Sequence, residues 1–442
     1  MALPLLRHET LQTVAALRNG HAVTAADLLG EVAALADLLP NSKHVINLCR
    51  DRYRFTVGLL AALTRDQLSL LPPNDTPLVL GQMAEDYPDV YALADWPCPE
   101  LPFEVLRFPA TLNARPASAI PAVTQDRAAV ILFTSGSTGR PKPNLKSWGS
   151  LVASTLGGSH QLGINGLPGA SLIGTVPPQH SYGVESTVML ALQHGLVLHA
   201  ERPFFPADVI AALHAAARPR ILVTTPVHLR AVLADSAALP QADLLISATA
   251  PLSPQLAAEA EARFQCPLQE IYGCTEAGQI GIRRTTETPD WSCFGGMTLR
   301  QDHHGTWASG SLTSTIETLL NDVIELHGSG RFLLHGRMAD LVNIAGKRSS
   351  LSYLNFQLNA IPGVQDGVFA MPPEDERGVT RLVAFVVAPG LTTDAILAGL
   401  RQRIDPAFMP RPLCLVEALP RNSLGKLPEE HIRRLVAVAD GH

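Results

Sequence analysis

The sequence predicts an α/β fold, and two features of the N-terminal region carry that prediction. Residues 45–49 and 67–71 are short apolar runs typical of strands, and residues 53–63 between them are typical of a helix. Strands that alternate with helices in this way favour parallel or mixed sheets flanked by helices. Residues 128–133 form a continuous apolar run, typical of a buried strand, and a loop rich in glycine and hydroxyl side chains follows them. The 442 residues, 46% of them hydrophobic, suffice for two or three domains with buried cores.

The other elements are predicted in chain order. Ahead of the first strand, residues 8–40 are expected to be helical, with Thr24 as the N-cap of residues 25–39. In the proline-rich span that follows residue 74, strands are expected at residues 77–80 and 103–108. Beyond the loop, the patterns predict helices at residues 146–162, 209–217, 226–234 and 393–404, and strands at residues 171–176, 221–224, 244–247, 368–370, 382–387 and 413–416.

Charge and hydropathy exclude several classes of function. The net charge is -6 and the pI is near 6.2, so no basic field attracts nucleic acid or an anionic membrane, and neither partner is expected. No apolar run approaches the roughly 18 residues that span a bilayer. Charged residues follow the first six residues too closely for a signal-peptide core, so we expect a cytoplasmic protein. The six cysteines are scattered without a C-x-x-C pair, which favours reduced thiols.

The loop after the apolar run has the composition of a phosphate-binding site. Its residues are Thr134, Ser135, Gly136, Ser137, Thr138, Gly139, Arg140, Pro141 and Lys142. Glycines let the backbone approach an anion closely, hydroxyls donate hydrogen bonds, and the two cations add positive charge. The loop is not of the Walker A type, because Gly139 is followed by Arg140 and Pro141 rather than by Lys and Ser or Thr, which excludes a P-loop kinase or ATPase.

The order of residues in this loop resembles the phosphate loop of the adenylate-forming enzymes, the superfamily of acyl- and aryl-CoA synthetases, peptide-synthetase adenylation domains and luciferases. Further segments resemble that superfamily's motifs in the same order. They are P-P-Q-H-S-Y-G at 177–183, A-T-A-P-L-S at 248–253, Y-G-C-T-E at 272–276, T-L-L-N-D at 318–322, G-R-M-A-D-L-V-N-I-A-G-K-R at 336–348 and P-R-N-S-L-G-K at 420–426. The resemblance covers roughly two thirds of the chain.

The resemblance implies a large N-terminal adenylation domain, residues 1–335, and a small mobile α+β cap, residues 336–442. It also implies ATP and Mg²⁺ as cofactors and a reaction in two steps. The carboxylate of an acid first attacks the α-phosphorus of ATP, which gives an acyl-adenylate and pyrophosphate. A thiol then attacks the adenylate, after the cap has rotated.

The resemblance also implies a role for each motif residue. Thr134, Ser135, Gly136, Ser137, Thr138, Gly139 and Lys142 would bind phosphate; Thr249, Ala250, Pro251, Tyr272 and Gly273 would surround adenine; Asp322 and Arg337 would contact ribose, and Arg348 would approach phosphate. Glu276 would ligate Mg²⁺, Thr275 would bind the α-phosphate, and Lys426 would bridge carboxylate and α-phosphate. His180, Tyr182, Ser247, Gly273, Gly278 and Gly346 would border the acid, with His180 and Gly346 also near the thiol tunnel.

The motifs depart from the superfamily pattern at four positions. Ala248 and Thr249 replace two glycines, Asn321 replaces a glycine, and Ala339 stands where a hinge acid or lysine is usual. A side chain in place of glycine restricts the φ and ψ angles that the backbone can adopt. At positions 248 and 249 it also favours a shallow aryl pocket over a long acyl tunnel.

The substrate expected from the resemblance is an aromatic, hydroxybenzoate-like carboxylic acid. The compact N-terminal region is similar to the stand-alone ligases of aryl-polyene (xanthomonadin-type) pigment clusters, which implies an acyl carrier protein as the thiol acceptor. Two alternatives stay open: an aryl- or acyl-CoA ligase that uses free CoA, and an inactive homologue that binds nucleotide or carrier protein without turnover.

Overall fold

The computed structural model describes residues 1–98, 100–134, 140–235, 237–310, 314–328, 330–337, 341–344, 347–372, 381–421 and 427–439. It has the predicted α/β architecture: large sheets flanked by helices, followed by a small C-terminal unit. Within these residues, none of the helices has the length and apolar composition needed to cross a membrane.

Strands and helices are interspersed along the whole chain. The described strands are β1 (Ala2–Pro4), β2 (Val14–Arg18), β3 (His21–Thr24), β4 (His44–Asn47), β5 (Leu68–Leu71), β6 (Val90–Ala94), β7 (Val105–Arg107), β8 (Ala122–Thr124), β9 (Ala128–Thr134), β10 (Lys142–Ser147), β11 (Ser171–Gly174), β12 (Val197–His199), β13 (Arg220–Thr224), β14 (Leu244–Ser247), β15 (Leu268–Cys274), β16 (Gly278–Arg283), β17 (Trp291–Cys293), β18 (Met297–Asp302), β19 (Gly305–Gly310), β20 (Ser314–Leu319), β21 (Asp322–Leu326), β22 (Arg331–Arg337), β23 (Leu341–Ile344), β24 (Lys347–Ser350), β25 (Asp366–Ala370), β26 (Val383–Val387) and β27 (Leu413–Leu415). The described helices are α1 (Ala25–Ala36), α2 (Arg52–Thr64), α3 (Pro77–Asp86), α4 (Trp148–Leu162), α5 (Ser181–Gly183), α6 (Leu190–His194), α7 (Pro206–Ala215), α8 (Pro226–Ala234), α9 (Pro254–Phe264), α10 (Leu351–Asn359), α11 (Thr393–Arg401) and α12 (Glu429–Ala439), with a π-helical stretch (Val184–Met189) joining α5 to α6.

Two sheets form the body of the N-terminal region. Among the described strands, the larger sheet has the order β21-β22-β17-β16-β15-β14-β13-β11-β12-β2-β3 and the smaller one β10-β9-β5-β4-β6-β7. The central strands β11 to β15 pair in parallel, as do β9, β5, β4, β6 and β7. Helices α1, α2 and α4 and the α5–α6 region supply many of the buried apolar side chains of the main core. The carboxyl ends of these parallel strands are where such folds place ligands.

A separate core lies in the C-terminal part of the chain. Strands β25, β26 and β27 form a small sheet, and α10 and α11 pack their buried leucines and Ile396 with Phe369 and Val386. The predicted strands and helix of this region are confirmed. The domain boundary at residues 335/336 stays a prediction, and β22 runs across it.

The prediction of a helix over residues 8–40 was right only for its second half. Residues 14–24 form the hairpin β2–β3, whose turn is Asn19 (φ 50°) and Gly20 (φ 76°). Asn-Gly is the pair that a two-residue hairpin turn favours, because both positions require positive φ. Thr24 is the N-cap of α1, as predicted, and forms a reciprocal capping box with Asp27.

The predicted strand at residues 77–80 was wrong, because these residues begin α3. Pro77 occupies the first turn of that helix, where its missing N–H costs nothing and its fixed φ suits the helix. The helix predicted from residue 146 starts at Trp148 instead, because residues 142–147 form β10.

Candidate active site

The base of the predicted phosphate loop is a β-hairpin. In the antiparallel pair β9–β10, Thr134 lies opposite Lys142, so the two flanks of the loop are held side by side. Thr134 is partly buried and Lys142 is exposed. The loop residues Ser135, Gly136, Ser137, Thr138 and Gly139 lie outside the described residues, and their role stays a prediction.

Lys146, which the sequence analysis did not single out, ties this hairpin to the Tyr272–Glu276 motif. It lies on β10, and its Nζ donates a 2.7 Å hydrogen bond to the backbone carbonyl of Glu276. The predicted phosphate loop and the predicted Mg²⁺ ligand belong to segments of different sheets. Lys146 therefore fixes the β9–β10 hairpin relative to Glu276.

Tyr272 and Asp322, predicted to contact adenine and ribose, are in direct contact. The Tyr272 hydroxyl donates to Oδ2 of Asp322 at 2.8 Å, and the ring packs against Trp291 and Phe332, with both centroids 5.7 Å away. Arg337 lies opposite Asp322 in the antiparallel pair β21–β22. Three residues that are far apart in sequence thus meet at one place, although the side chain of Arg337 is outside the described set.

The predicted adenine-binding turn follows β14 and has a strained backbone. Thr249 has a φ of 80°, a left-handed conformation that is rare for a β-branched residue. Just before it, Ser247 is fully buried, and its Oγ has no hydrogen-bond partner among the described residues. Ala250 and Pro251 lie in the same turn, partly buried and exposed respectively.

A buried carboxylate supports this turn from the neighbouring strand. Glu270 on β15 is 3% exposed, and its Oε1 accepts a 3.1 Å hydrogen bond from the backbone N–H of Leu252. Its Oε2 accepts from Arg283 Nε and Thr285 Oγ1, both at 2.7 Å. A buried carboxylate is stable only when it is paired and hydrogen-bonded in this way.

His180 and Tyr182 lie at the start of the helical region after β11. His180 is the N-terminal boundary of α5 and is partly buried. The hydroxyl of Tyr182 lies 3.0 Å from the carbonyl of Thr224 and 3.1 Å from that of Ile246, at the ends of β13 and β14; burial raises the pKa of Tyr182 above its ordinary value. The motif glycine Gly183 is required by close approach, since a Cβ there would lie 1.8 Å from the carbonyl oxygen of Pro177.

Arg52, also missed by the sequence analysis, holds the strand ends that lead into this segment. It is fully buried at the first position of α2, where its neighbour Asp51 caps the helix. Its guanidinium donates to the carbonyls of Gly174 and Val176 at 2.7 and 2.9 Å, and to those of His199 and Glu201 at 3.2 and 2.8 Å. Burial lowers its pKa to about 10, so the side chain remains charged at neutral pH.

A cavity of about 370 Å³ lies beside the Tyr272–Glu276 motif. Lys146, Glu276, Gly278 and Gln279 line it on one side, together with Ser150, Leu151, Ser154, Glu185, Phe294 and Met297 from the facing elements. Its volume falls within the range of small-molecule pockets. Gly278, predicted to border the acid, is thus placed at this cavity, as is Glu276.

Glu276 is compatible with Mg²⁺ binding. Its side chain is partly buried in the cavity wall, and the described residues contain no group of three or more His, Cys, Asp or Glu side chains that could hold a metal. Mg²⁺ is commonly held by one or two carboxylates together with substrate phosphates. One carboxylate that lines the cavity is compatible with that mode of binding, and the role of Glu276 as a Mg²⁺ ligand stays a prediction.

The strand that carries these residues is irregular where they lie. The β15–β16 pairing shifts register between Tyr272 and Gly273, a bulge of the kind that re-aims side chains beside active sites. Thr275 follows the end of β15 and is partly buried. Cys274 does not offer a thiolate here, because burial raises its pKa to about 11, and all six cysteines are free, as expected.

The remaining predicted residues belong to the C-terminal motifs. Arg348 lies on β24 opposite Asn343, with its side chain outside the described set. Gly346 and Lys426 lie outside the described residues altogether, as does the hinge position Ala339.

The AMP-binding enzyme family matches residues 10–301 of the chain. The chain is 29% identical over 309 residues to the 4-coumarate--CoA ligase of Rhodobacter capsulatus, covering 69% of this chain and 76% of that protein. It is 25% identical over 358 residues to the 3-hydroxybenzoate--CoA/4-hydroxybenzoate--CoA ligase of Thauera aromatica, covering 71% of this chain and 67% of that protein.

Solved structures show the same fold. The o-succinylbenzoate CoA synthetase of Bacillus subtilis, in complex with its acyl-adenylate intermediate, superposes with a TM-score of 0.80 at 16% identity and covers 96% of each chain. ATP-bound MatB from Rhodopseudomonas palustris superposes with a TM-score of 0.80 at 18% identity, covering 97% of each chain.

Proposed function

Because the chain belongs to the AMP-binding enzyme family, and is accordingly an AMP-forming acid–thiol ligase, we propose that it activates a hydroxylated aromatic carboxylic acid. The acid is converted with ATP to an acyl-adenylate and pyrophosphate. The acyl group then passes to the phosphopantetheine thiol of an acyl carrier protein, with release of AMP.

One observation carries the proposal: a single short segment runs from the proposed nucleotide site to the proposed acid site. At its start, Tyr272 hydrogen-bonds Asp322, whose carboxylate would accept from the ribose hydroxyls in this proposal. At its end, Glu276 is held by Lys146 and lines the cavity. Nucleotide and acid bound at the two ends would meet at the intervening residues, which include Thr275.

In this proposal, Glu276 holds Mg²⁺ and the 134–142 loop binds the phosphates. The ion would supply charge neutralisation to the triphosphate. Arg52 keeps the strand ends near His180 in place, and the Glu270 network keeps the 249–252 turn against β15. Lys426, on the cap of residues 336–442, would bring positive charge to the reacting carboxylate and α-phosphate.

An aromatic acid is supported by the cavity and by the relatives. Phe294 and Leu151, each 2% exposed, line the cavity. Their apolar atoms would contact the ring of an aromatic acid. Two of the curated relatives are named for coumarate and hydroxybenzoate. A cavity of about 370 Å³ suits an acid with a single ring.

A second candidate function differs only in the acceptor. The names of the relatives favour free CoA, whereas the resemblance to pigment-cluster ligases favours a carrier protein. Both acceptors present the same phosphopantetheine arm, so the adenylation site serves either.

The proposal is tested by acid-dependent ATP–pyrophosphate exchange with hydroxybenzoates, cinnamates and fatty acids, followed by product mass with holo-carrier protein and with CoA. Exchange that depends on an aromatic acid, with a mass increase of the carrier protein, is the expected result. A CoA thioester instead of acyl-carrier protein would establish the second candidate. Measurable ATP binding without exchange for any acid would contradict both and leave a binding protein.

A further inference from the structure

Glu185 is a buried carboxylate on the wall of the cavity, and the proposed adenylation chemistry gives it no role. It is 2% exposed and lies in the π-helical stretch Val184–Met189. Such stretches are uncommon and frequently occur at functional sites. Sequence analysis did not single it out, because a lone glutamate in an apolar helical segment has no motif of its own.

The partners of Glu185 are neutral. Its Oε1 accepts a 2.9 Å hydrogen bond from Ser181 Oγ, and its Oε2 accepts a 3.0 Å hydrogen bond from Ser154 Oγ. Within the described part of the chain, no ion pair involves Glu185. Burying a carboxylate costs free energy unless charged or hydrogen-bonding groups surround it. Its two oxygens can accept about four hydrogen bonds, and the two serines supply two of them.

The carboxylate faces the inside of the cavity next to β16. An ideal Cβ built on Gly278, which has a φ of 81°, would lie 3.6 Å from Oε2 of Glu185. Both residues line the cavity, so the carboxylate lies at the cavity wall beside Gly278. Glu276 lines the same cavity and is more exposed than Glu185.

Other parts of the cavity wall are held in place by packing and by a hydrogen bond. Phe294 packs against α4 so closely that a Cβ on Gly158 would lie 2.8 Å from its ring. Gln279 is held by a 3.1 Å hydrogen bond from its Nε2 to Ser186 Oγ. The wall therefore offers an aromatic ring apolar contact and, at Glu185, acceptors for a hydrogen-bond donor.

We propose that Glu185 accepts a hydrogen bond from a hydroxyl group on the ring of the acid substrate, and that it thereby selects hydroxylated over unsubstituted aromatic acids. This inference rests on the proposed function and adds to it the residue that determines specificity. An O–H donor to a carboxylate forms a short, charge-assisted hydrogen bond. An acid without a donor leaves the buried carboxylate with only the hydrogen bonds from Ser181 and Ser154, and sites built to hydrogen-bond a substrate hydroxyl discriminate against the analogue that lacks it.

The wild-type protein provides the first test, independent of any variant. Pyrophosphate exchange is measured with 3- and 4-hydroxybenzoate, the matching methoxybenzoates and benzoate. A methoxy group accepts hydrogen bonds but donates none, so kcat/KM is expected to be about 10- to 100-fold lower for the methoxy acids and for benzoate than for the better hydroxybenzoate. Equal or better use of benzoate or methoxybenzoate would overturn the inference and leave the ligase function standing.

The second test is Glu185→Gln, with Glu261→Gln as the matched control. Glu261 is a partly buried carboxylate that accepts from Arg284 and Leu268 and does not line the cavity. Glu185→Gln keeps one acceptor oxygen but loses the charge, so it is expected to reduce the preference for the hydroxylated acid while exchange with benzoate is retained; Glu261→Gln is expected to keep the wild-type preference. An unchanged preference in Glu185→Gln, or an equal loss for all acids, would overturn the inference. Absence of exchange with every acid in the wild type would instead overturn the proposed function.

Discussion

Thr249 adopts a backbone conformation that belongs to glycine. Its φ of 80° costs a β-branched residue roughly 1–3 kcal/mol, and Glu270 holds the turn in place through the N–H of Leu252. The sequence comparison with the superfamily motif identified this position, because Ala248 and Thr249 stand where glycines are usual. The structure shows that the backbone keeps its glycine-like shape in spite of the side chain.

Thr249→Gly should therefore stabilise the protein. The strain energy that is relieved exceeds the free-energy cost of the additional backbone entropy that glycine loses on folding. We therefore expect a gain of about 1 kcal/mol in the free energy of unfolding. Urea denaturation measures it, with Thr225→Gly as a control at an N-cap of ordinary φ (-132°), which should destabilise. A loss of stability for Thr249→Gly would show that the side chain contributes more than the strain costs.

Asp322→Asn should weaken ATP binding much more than it affects the acid. A carboxylate accepts from two ribose hydroxyls with charge assistance, whereas the amide accepts through one oxygen only, so the KM for ATP is expected to rise about 10- to 100-fold. Pyrophosphate exchange at saturating acid measures it. Tyr272→Phe removes only the hydrogen bond to Asp322 and should raise the KM a few-fold at most. An ATP KM for Asp322→Asn equal to that of wild type would remove Asp322 from the ribose site.

Residues with a motif were found from sequence, and residues whose role depends on distant partners were not. The motif order singled out Tyr272, Glu276, Gly278 and Asp322, and their roles stay predictions; Glu276 and Gly278 line the cavity, and Tyr272 contacts Asp322. Lys146, Arg52 and Glu185 were missed because each has a partner far away in the sequence. Ser154 lies 31 positions from Glu185, Gly174 lies 122 positions from Arg52, and Glu276 lies 130 positions from Lys146. No local pattern distinguishes them from surface charges.

At the scale of elements, strands with continuous apolar runs were predicted well, and hairpins poorly. β4, β5, β9, β11, β13 and β14 were all predicted within a few residues. The β9–β10 hairpin was missed because β10 carries two lysines and lies at the sheet edge without a buried residue, where the alternation of apolar and polar residues is weak. The Asn-Gly pair of the β2–β3 turn indicates a hairpin, and the prediction of a helix over residues 8–40 did not take it into account.

Arg52 joins three elements, and its loss should destabilise the fold. Arg52→Met removes the donor to four backbone carbonyls at or just beyond the ends of β11 and β12, and we expect a loss of at least about 3 kcal/mol in the free energy of unfolding. Arg65→Met, at the exposed end of the same helix, should change it by no more than about 0.5 kcal/mol. Similar denaturation midpoints for the two variants would contradict the role assigned to Arg52.

At the scale of the whole molecule, buried histidines link stability to pH. Burial lowers the pKa of His199 to about 4, and burial also lowers the pKa of His8, His194 and His228. All lie below the value near 6.5 expected for the unfolded chain. Between these values the unfolded chain binds more protons than the folded protein, so stability falls as pH drops.

His199→Gln should make the protein less sensitive to acid. The free energy of unfolding of the wild type should decrease from about pH 6.5 to about pH 4, and His199 alone should account for about 3 kcal/mol of the decrease. Urea titrations at several pH values measure the slope. His21→Gln, at an exposed position of β3, should leave the slope unchanged. Parallel pH curves for His199→Gln and wild type would show that His199 does not carry this dependence.

The chain superposes over nearly its full length on ATP-bound MatB and on the o-succinylbenzoate CoA synthetase. The central claim is that it forms an acyl-adenylate. The most direct measurement supplies hydroxybenzoate labelled with a heavy oxygen isotope in both carboxylate positions, together with ATP, Mg²⁺ and a thiol acceptor. Attack of the carboxylate on the α-phosphorus transfers one of those oxygens, so the account predicts AMP that carries one heavy oxygen atom. Unlabelled AMP, or ADP as the nucleotide product, would contradict it.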